Sequence, residues 1–490
     1  MSLGGKADES ARAKRGALRW SLYPVLLLFL IGVCLLAPAS ALAQTESDEF
    51  WSLWNDYLHR HMNDHEAWAE WVKQHAHPVA LGGAGSESDD DFADLAPLAS
   101  VLADRHIVML GESSHGVREY NLAKVRLVKF LHQELGFDVL VFESSWADTY
   151  AVTLEAGALS AREMLERSLH PMWHTEEVLA LFEYVKETQG TENPLQLAGI
   201  DMQPFDAFSN FVTAWLSAVD PMRGGAWRGL EGRYKQAVYA LDYPWEELPT
   251  RVALWTLGYQ ELARFVLQNR EELTKARPDV PGLAEIVLRA IAERIRVLDE
   301  FVGAKALVLS PANLFLPLHS LQNYPYVRDR IMADNLAWLA EEVYPGKKII
   351  VWAHNYHIRK QNSSVQDDPL FMGLPTPTLG ELLPDTLRAR AYSLGLYMYS
   401  GSHADNNRVV QQIAAEHAPD SLEAIFAHAG YDVAFIDFKH QVPEVGNTWM
   451  FTERKALYAG PYEETLIPRT QYDGVLWFRR VQPPRYLERP

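Results

Sequence analysis

Glutamate, aspartate and histidine side chains follow or end four apolar stretches of this sequence. A histidine that titrates near neutral pH can serve as a general base, and a neighbouring carboxylate can fix its tautomer and stabilise the imidazolium that forms. A second histidine or a cation can donate to the oxyanion of an ester's tetrahedral intermediate. The residues therefore predict hydrolysis by activated water. The residues that support this prediction are Glu112, His115, Glu143, Asp201, His354 and His357.

Each apolar stretch predicts a short buried β-strand, and helical patterns separate the stretches. The alternation predicts an α/β fold with a mainly parallel sheet flanked by helices. Because ligands bind beyond the carboxyl ends of such strands, we expect the six side chains to converge. A helix that begins after residue 116 adds positive potential there. The predicted strands cover 106–111, 138–143, 195–200, 348–353, 391–398, 432–437 and 474–479, and the predicted helices cover 117–134, 147–168, 174–188 and 327–343.

Single residues of this set also have structural explanations. Glu112 can cap the next helix, Glu143 can pair with an arginine, and His354 can be a hydrogen-bonded core histidine. Asp201 can brace a turn. Four independent strand ends with such residues favour the functional explanation, because four unrelated structural roles at equivalent positions are an improbable coincidence.

The segment from about residue 205 to residue 305 has a helical pattern without a convincing strand. It predicts a large helical insertion within an α/β domain that covers residues 95–480. We expect this insertion to form one wall of a large cleft for a bulky apolar substrate. Its aromatic residues either line the cleft or pack the core: Trp215, Trp227, Tyr234, Tyr239, Tyr243, Trp245 and Tyr259.

The N-terminal residues have the pattern of a secretory signal peptide. A basic segment precedes the apolar run 23–36, which is shorter than the roughly 20 residues of a membrane-spanning helix, and an Ala-x-Ala pattern ends at Ala43. We predict that residues 1–43 are a signal peptide and that the protein is exported, periplasmic or secreted. Contact with the membrane is then expected only during export. An uncleaved anchor is the alternative.

Residues 44–94 are predicted to contain an amphipathic helix over 47–76 and a flexible acidic linker over 82–93. The only cysteine, Cys34, lies in the predicted signal peptide, so the mature chain has no disulfide and no thiol nucleophile. The formal net charge of the whole chain is −19. This charge argues against nucleic acid as a partner, since phosphates require basic patches.

Several motifs resemble the erythromycin esterase-like family, in that family's order over about residues 95–480. Gly136-Phe137 before the second strand belongs to the same series. The resemblance implies an α/β hydrolase for macrolide lactones that needs no metal or other cofactor. The motifs are Gly111-Glu-Ser-Ser-His-Gly-Val-Arg-Glu119, Trp173-His-Thr-Glu-Glu177, Gly199-Ile-Asp-Met-Gln203, Arg330-Ile-Met-Ala-Asp-Asn-Leu-Ala-Trp338 and Trp352-Ala-His-Asn-Tyr-His357.

The resemblance also implies roles for single residues. His115 corresponds to the family's general base, and the remaining catalytic positions fall on Glu112, Glu143, His354 and His357. Some family members carry arginine at the position of Lys124, and lysine keeps the charge but loses the planar fork. The residues that we predict to bind the substrate are Lys124, Arg126, Asp201 and Trp173.

Three other interpretations stay open at this point. Ser113 or Ser114 is a candidate nucleophile, although neither has the G-x-S-x-G spacing. A divalent metal is also possible, because two pairs of potential ligands are each separated by two residues. These pairs are Glu112 with His115 and His354 with His357. The protein can also be a transferase or hydrolase for an envelope polysaccharide, or an exported binding protein without turnover.

Overall fold

The structure of the chain is a computed structural model. It describes residues 64–81, 91–240, 244, 246–309, 323–366, 376–414, 416–458, 460 and 462–488. All of them belong to one compact unit, Asn63–Pro490. The predicted signal peptide and most of the predicted acidic linker lie outside the described residues.

Twelve strands occur in the described residues, and eight of them form one sheet. All seven predicted strands are present within about two residues of their predicted bounds. In chain order the strands are β1 His77–Pro78, β2 Ile107–Leu110, β3 Phe137–Ser145, β4 Gln196–Asp201, β5 Lys348–Trp352, β6 Ala391–Met398, β7 Ser402–Ala404, β8 Val410–Gln412, β9 Val433–Asp437, β10 Arg454–Tyr458, β11 Tyr462–Leu466 and β12 Gly474–Phe478.

The large sheet has the strand order β1-β9-β12-β6-β2-β5-β3-β4. Neighbouring strands are parallel from β12 to β4, and β9 runs antiparallel to both of its neighbours. The prediction of a mainly parallel sheet is therefore confirmed. The four strands with chemically capable ends, β2, β5, β3 and β4, are adjacent, so their carboxyl ends meet at one edge.

Helices cover both faces of the sheet, because the central strands are apolar on both sides. In β2, Val108 and Leu110 belong to one core and Ile107 and Met109 to the other, as expected for the two-residue period of a strand. The α-helices of the described residues are α1 His65–His75, α2 Ala96–Leu102, α3 Arg118–Leu135, α4 Trp146–Glu155, α5 Ala161–Ser168, α6 Glu176–Thr188, α7 Ala207–Ser217, α8 Pro221–Tyr239, α9 Leu248–Gln268, α10 Arg270–Ala276, α11 Leu283–Arg296, α12 Gly303–Leu309, α13 Tyr324–Trp338, α14 Asn355–Ile358, α15 Leu379–Leu382, α16 Asp385–Arg388, α17 Leu422–Ala427 and α18 Pro468–Gln471.

The predicted helical insertion consists of α7 to α12 and has its own hydrophobic core. Buried contacts link it to the segments that follow β3 and β4: the Trp146 indole donates to Glu293, and Tyr234 donates to the carbonyl of Met202. Four of the seven aromatic residues pack in this core: Trp215, Trp227, Tyr234 and Tyr259. Tyr239 is 39% exposed, and Tyr243 and Trp245 lie outside the described residues.

The N-terminal part of the described chain contains one piece of the predicted helix over 47–76, namely α1. Its residues Trp68 and Trp71 are buried, and the Trp71 ring packs edge-on against Trp449. At the end of the predicted linker, a 3-10 helix begins at Ala93. Within the part of the chain that the structure describes, no helix is long and apolar enough to cross a membrane.

Candidate active site

The carboxyl ends of β2, β5 and β6 are joined through Asn355, the first residue of α14. Its backbone N–H donates to the carbonyl of Glu112 at 2.8 Å. Its side chain donates to the carbonyl of Leu396 and accepts from the N–H of the same residue. A Cβ atom at Gly111 would lie 2.1 Å from the Asn355 amide oxygen. Only glycine therefore leaves room for α14 this close to the end of β2.

A β-bulge places Glu143 at the same edge of the sheet. The register of β3 against β4 shifts between Phe142 and Ser145, so three steps along β3 oppose two along β4. Such a bulge redirects side chains. The backbone of Ser145 then passes so close to Gly199 that a Cβ atom at Gly199 would lie 2.7 Å from its carbonyl oxygen. Glycine in the Gly199-Ile-Asp motif thus makes room for the bulge.

Glu112 is fully buried and accepts three hydrogen bonds. One oxygen accepts from His115 Nδ1 at 2.6 Å and from the Trp173 indole at 3.0 Å. The other accepts from Lys124 Nζ at 2.8 Å. Lys124 also lies 4.2 Å from the centre of the Trp352 ring. Burial lowers the pKa of Lys124 to about 8, although the charge of Glu112 opposes this shift.

The hydrogen bond to Glu112 fixes the tautomer of His115. A carboxylate can only accept, so Nδ1 carries the proton and the lone pair of the neutral ring lies on Nε2. The His115 side chain is 11% exposed, and its ring lies 5.0 Å from the rings of both Trp173 and His354. His115 therefore has the arrangement of a general base that a carboxylate orients.

His354 has the complementary arrangement. It caps α14, and its Nδ1 accepts from the backbone N–H of Tyr356 at 3.2 Å, so the proton of the neutral ring lies on Nε2. Its own backbone N–H donates to Glu143 at 2.8 Å. Burial and the nearby charge of His115 hold the pKa of His354 well below its ordinary value. A neutral ring with Nε2–H is a hydrogen-bond donor for an oxyanion.

Glu143 belongs to a buried network of charges beneath these rings. His357 contacts Glu143 at 3.0 Å and Asp329 at 2.7 Å. Arg328 contacts Glu143 at 2.9 Å and Asp201 at 2.6 Å. Burial lowers the pKa of His357, but the two carboxylates outweigh it and raise this pKa to about 10.

The same network affects the carboxyl group of Glu143. Burial raises its pKa, but the positive charges of His357 and Arg328 hold it well below the ordinary value. The network therefore keeps Glu143 ionised and His357 protonated at neutral pH. Glu143 in turn accepts from the backbone N–H of His354, so the network contacts the His354 segment directly.

The structure thus brings together eight of the nine residues predicted for the site. Arg126 is the exception, and we correct its prediction. It follows Lys124 by two residues on α3, which places it on the opposite side of the helix. It pairs with Asp94 at 2.6 Å and donates to the carbonyl of Ala80 at 3.2 Å. Arg126 holds the chain before α2 against α3.

Three site residues were not predicted: Arg328, Asp329 and His170. Arg328 and Asp329 lie in the first turns of α13, directly before the Arg330-to-Trp338 motif. Their position directly before this motif could have identified them as candidate site residues from the sequence. His170 lies between α5 and α6, and its Nε2 is 4.0 Å from Asp201.

The serine residues of the first motif are bonded inside the protein. Ser113 shares a hydrogen bond of 2.8 Å with the Tyr120 hydroxyl, and Ser114 Oγ lies 2.8 Å from Nδ1 of His403. Both serines are buried. Among the described residues, no group of three or more His, Cys, Asp or Glu side chains is arranged to hold a metal ion.

Comparison with known proteins decides the family. The sequence profile of the erythromycin esterase family matches residues 132–481. The chain belongs to the erythromycin esterase family. The match begins after Glu112 and His115. YbfO of Bacillus subtilis (strain 168), which is named provisionally as a hydrolase, is 35% identical over 86% of this chain and 93% of its own length. Erythromycin esterase type II of Escherichia coli is 22% identical over 68% of the chain and 78% of its own length.

Solved structures with a similar fold confirm the α/β architecture of this chain. A Bacillus cereus protein matches with a TM-score of 0.63 at 21% identity, over 86% of this chain and 99% of that one. An erythromycin esterase mutant in its open conformation matches with a TM-score of 0.57 at 16% identity, over 81% of this chain and 96% of that one. The family and the relatives' names support a hydrolase.

Proposed function

We propose that this protein hydrolyses a carboxylic ester, with a macrolide lactone as the leading substrate class, by water that His115 activates. The observation that carries the proposal is the 2.6 Å hydrogen bond between Glu112 and His115 Nδ1, which leaves Nε2 as the base. Membership of the erythromycin esterase family supports the substrate class.

The tautomers of His115 and His354 assign a step of the reaction to each ring. Nε2 of His115 takes a proton from water while the water oxygen bonds to the carbonyl carbon. The carbonyl oxygen becomes an oxyanion and accepts from Nε2–H of His354. When the tetrahedral intermediate collapses, the bond to the alcohol oxygen breaks. The alkoxide takes the proton from the His115 imidazolium, which leaves a carboxylic acid and an alcohol as products.

The acidic neighbours stabilise the charges of this sequence. Glu112 attracts the His115 imidazolium, and Lys124 neutralises Glu112 when His115 is uncharged. Glu112 already accepts three N–H bonds, which leaves little of its acceptor capacity for a metal ion. We therefore propose a reaction without a metal.

We also propose that the enzyme acts outside the cytoplasm on a bulky, largely apolar small molecule. The predicted signal peptide at residues 1–43 supports export. The net charge of −19 supports a substrate other than nucleic acid. An exported macrolide esterase would act on its substrate before that substrate enters the cell.

The experiment is incubation of the purified mature chain with erythromycin, with and without a strong chelator, followed by mass spectrometry. Hydrolysis predicts a product heavier by one water and equal rates with chelator. A rate that the chelator abolishes and one divalent metal restores would support the metal-dependent interpretation. Thermal stabilisation by erythromycin without any product would support a binding protein and contradict the proposal.

A further inference from the structure

His170 is a buried histidine beside the reaction centre that the proposed mechanism does not use. Its ring lies 6.2 Å from the Trp173 ring, which in turn lies 5.0 Å from His115. Its other ring neighbour is Phe205, at 4.9 Å, which also lines a cavity of about 720 Å³. That cavity is lined by Phe205 and not by His170, so the ring contacts through Trp173 are what connect His170 to the reaction centre.

The Nε2 atom of His170 is buried and has no hydrogen-bond partner among the described residues. Burial of an unpaired polar atom costs about 1–3 kcal/mol, so stability gives no reason to have histidine here. The ring is also uncharged at neutral pH, because burial lowers its pKa to about 4 despite the nearby charge of Asp201. A neutral imidazole next to a carboxylate is suited to a neutral ligand with both a donor and an acceptor.

The distance between His170 and Asp201 specifies that ligand. Nε2 lies 4.0 Å from the nearer Asp201 oxygen, which is too far for a direct hydrogen bond. One oxygen atom can lie about 2.8 Å from both atoms, accept from Nε2–H and donate its own proton to the carboxylate. An alcohol hydroxyl has one donor and two acceptor sites and fits this position.

Asp201 is held in the orientation that this contact requires. Arg328 donates to its two oxygens at 3.1 and 3.3 Å through Nε, and the backbone N–H of Met202 donates to one of them at 2.7 Å. The carboxylate therefore cannot rotate toward His170 without losing these bonds. The gap is a property of the folded site, and a ligand can close it.

We propose that His170 and Asp201 form a subsite for an alcohol hydroxyl of the substrate, so that the enzyme prefers hydroxylated esters or lactones. The proposal rests on the proposed function, because it assigns the substrate of that same site. It predicts that His170 contributes to substrate affinity and KM more than to kcat.

The test measures erythromycin binding by calorimetry in the His115→Ala background, where turnover does not interfere. His170→Phe removes both ring nitrogens and is expected to weaken binding about 10- to 100-fold, since a hydrogen-bonding site rejects a ligand that it can no longer pair. His170→Gln, which keeps a donor and an acceptor, is expected to retain most of the affinity. The matched control is His440→Phe, because His440 bonds to Asp437 at the opposite edge of the sheet.

Thermal unfolding without ligand adds a second measurement. His170→Phe is expected to unfold at the same or a higher temperature than the parent, because it removes an unpaired buried atom. A lower unfolding temperature with unchanged erythromycin affinity would show that a structural water fills the gap, and it would overturn the inference. Absence of erythromycin binding to the parent would overturn it too. Tight, His170-dependent binding without hydrolysis by the wild type would contradict only the proposed function.

Discussion

Substitution of Glu112 by glutamine separates the catalytic role of this carboxylate from its structural role. Glutamine keeps the shape and can still accept from His115 and Trp173, but it has no charge. When His115 takes a proton, the two charge centres are about 4 Å apart, and the attraction is about 4 kcal/mol at an effective dielectric constant of about 20. We therefore expect kcat/KM to fall by about 100- to 1,000-fold.

The same substitution leaves Lys124 buried beside a neutral group. Removal of one partner of a buried pair costs about 3–5 kcal/mol. Burial already lowers the pKa of Lys124 to about 8 beside Glu112. Without Glu112 the amine loses its proton at pH 7, so we expect the lower end of this range. The double variant Glu112→Gln/Lys124→Met buries no charge in this pair and is expected to regain most of the stability.

The assay combines urea unfolding with kcat/KM for erythromycin in both variants. We expect the double variant to recover stability and to stay at least about 100-fold less active than the wild type. If the double variant recovers activity within about threefold, the charge of Glu112 does not assist His115. The loss in Glu112→Gln would then reflect disturbed packing around Lys124.

Two further predictions concern stability. Because the pKa of His357 is raised to about 10, the folded state keeps a proton that the unfolded state releases above about pH 6.5. Stability should therefore fall between pH 7 and 8 by up to about 1.4 kcal/mol more in the wild type than in His357→Asn, as measured by urea unfolding. Equal slopes would contradict this assignment. Arg126→Met should lower stability by about 2 kcal/mol and leave the KM for erythromycin within about twofold, and a tenfold rise in KM would return Arg126 to the site.

Much of the fold was predictable, because the central strands are apolar on both faces and end in a few polar residues. The direction of β9 was not predictable in the same way. Its residues form a strand as predicted, but the choice between parallel and antiparallel pairing depends on which strand lies beside it. The hairpin of β10 and β11 was missed. Its strands have only five residues each and show no regular alternation of buried and exposed positions.

In the site, too, some residues could be predicted from their local sequence, whereas others depend on how distant elements pack. Glu112, His115 and His354 follow strand ends, so their convergence could be predicted from the order of elements. Arg328 and Asp329 lie on a helix, where charged residues are usually solvated. Asp329 is fully buried only because α13 packs across the sheet edge, and that packing is decided by the whole fold.

The most direct test of the central claim is the hydrolysis of erythromycin by His115→Ala, measured with and without added imidazole. We predict a loss of kcat/KM of about 100-fold or more, an unchanged unfolding temperature, and partial recovery with imidazole, since the missing base is supplied from solution. Near-normal hydrolysis by a folded His115→Ala protein would contradict this prediction.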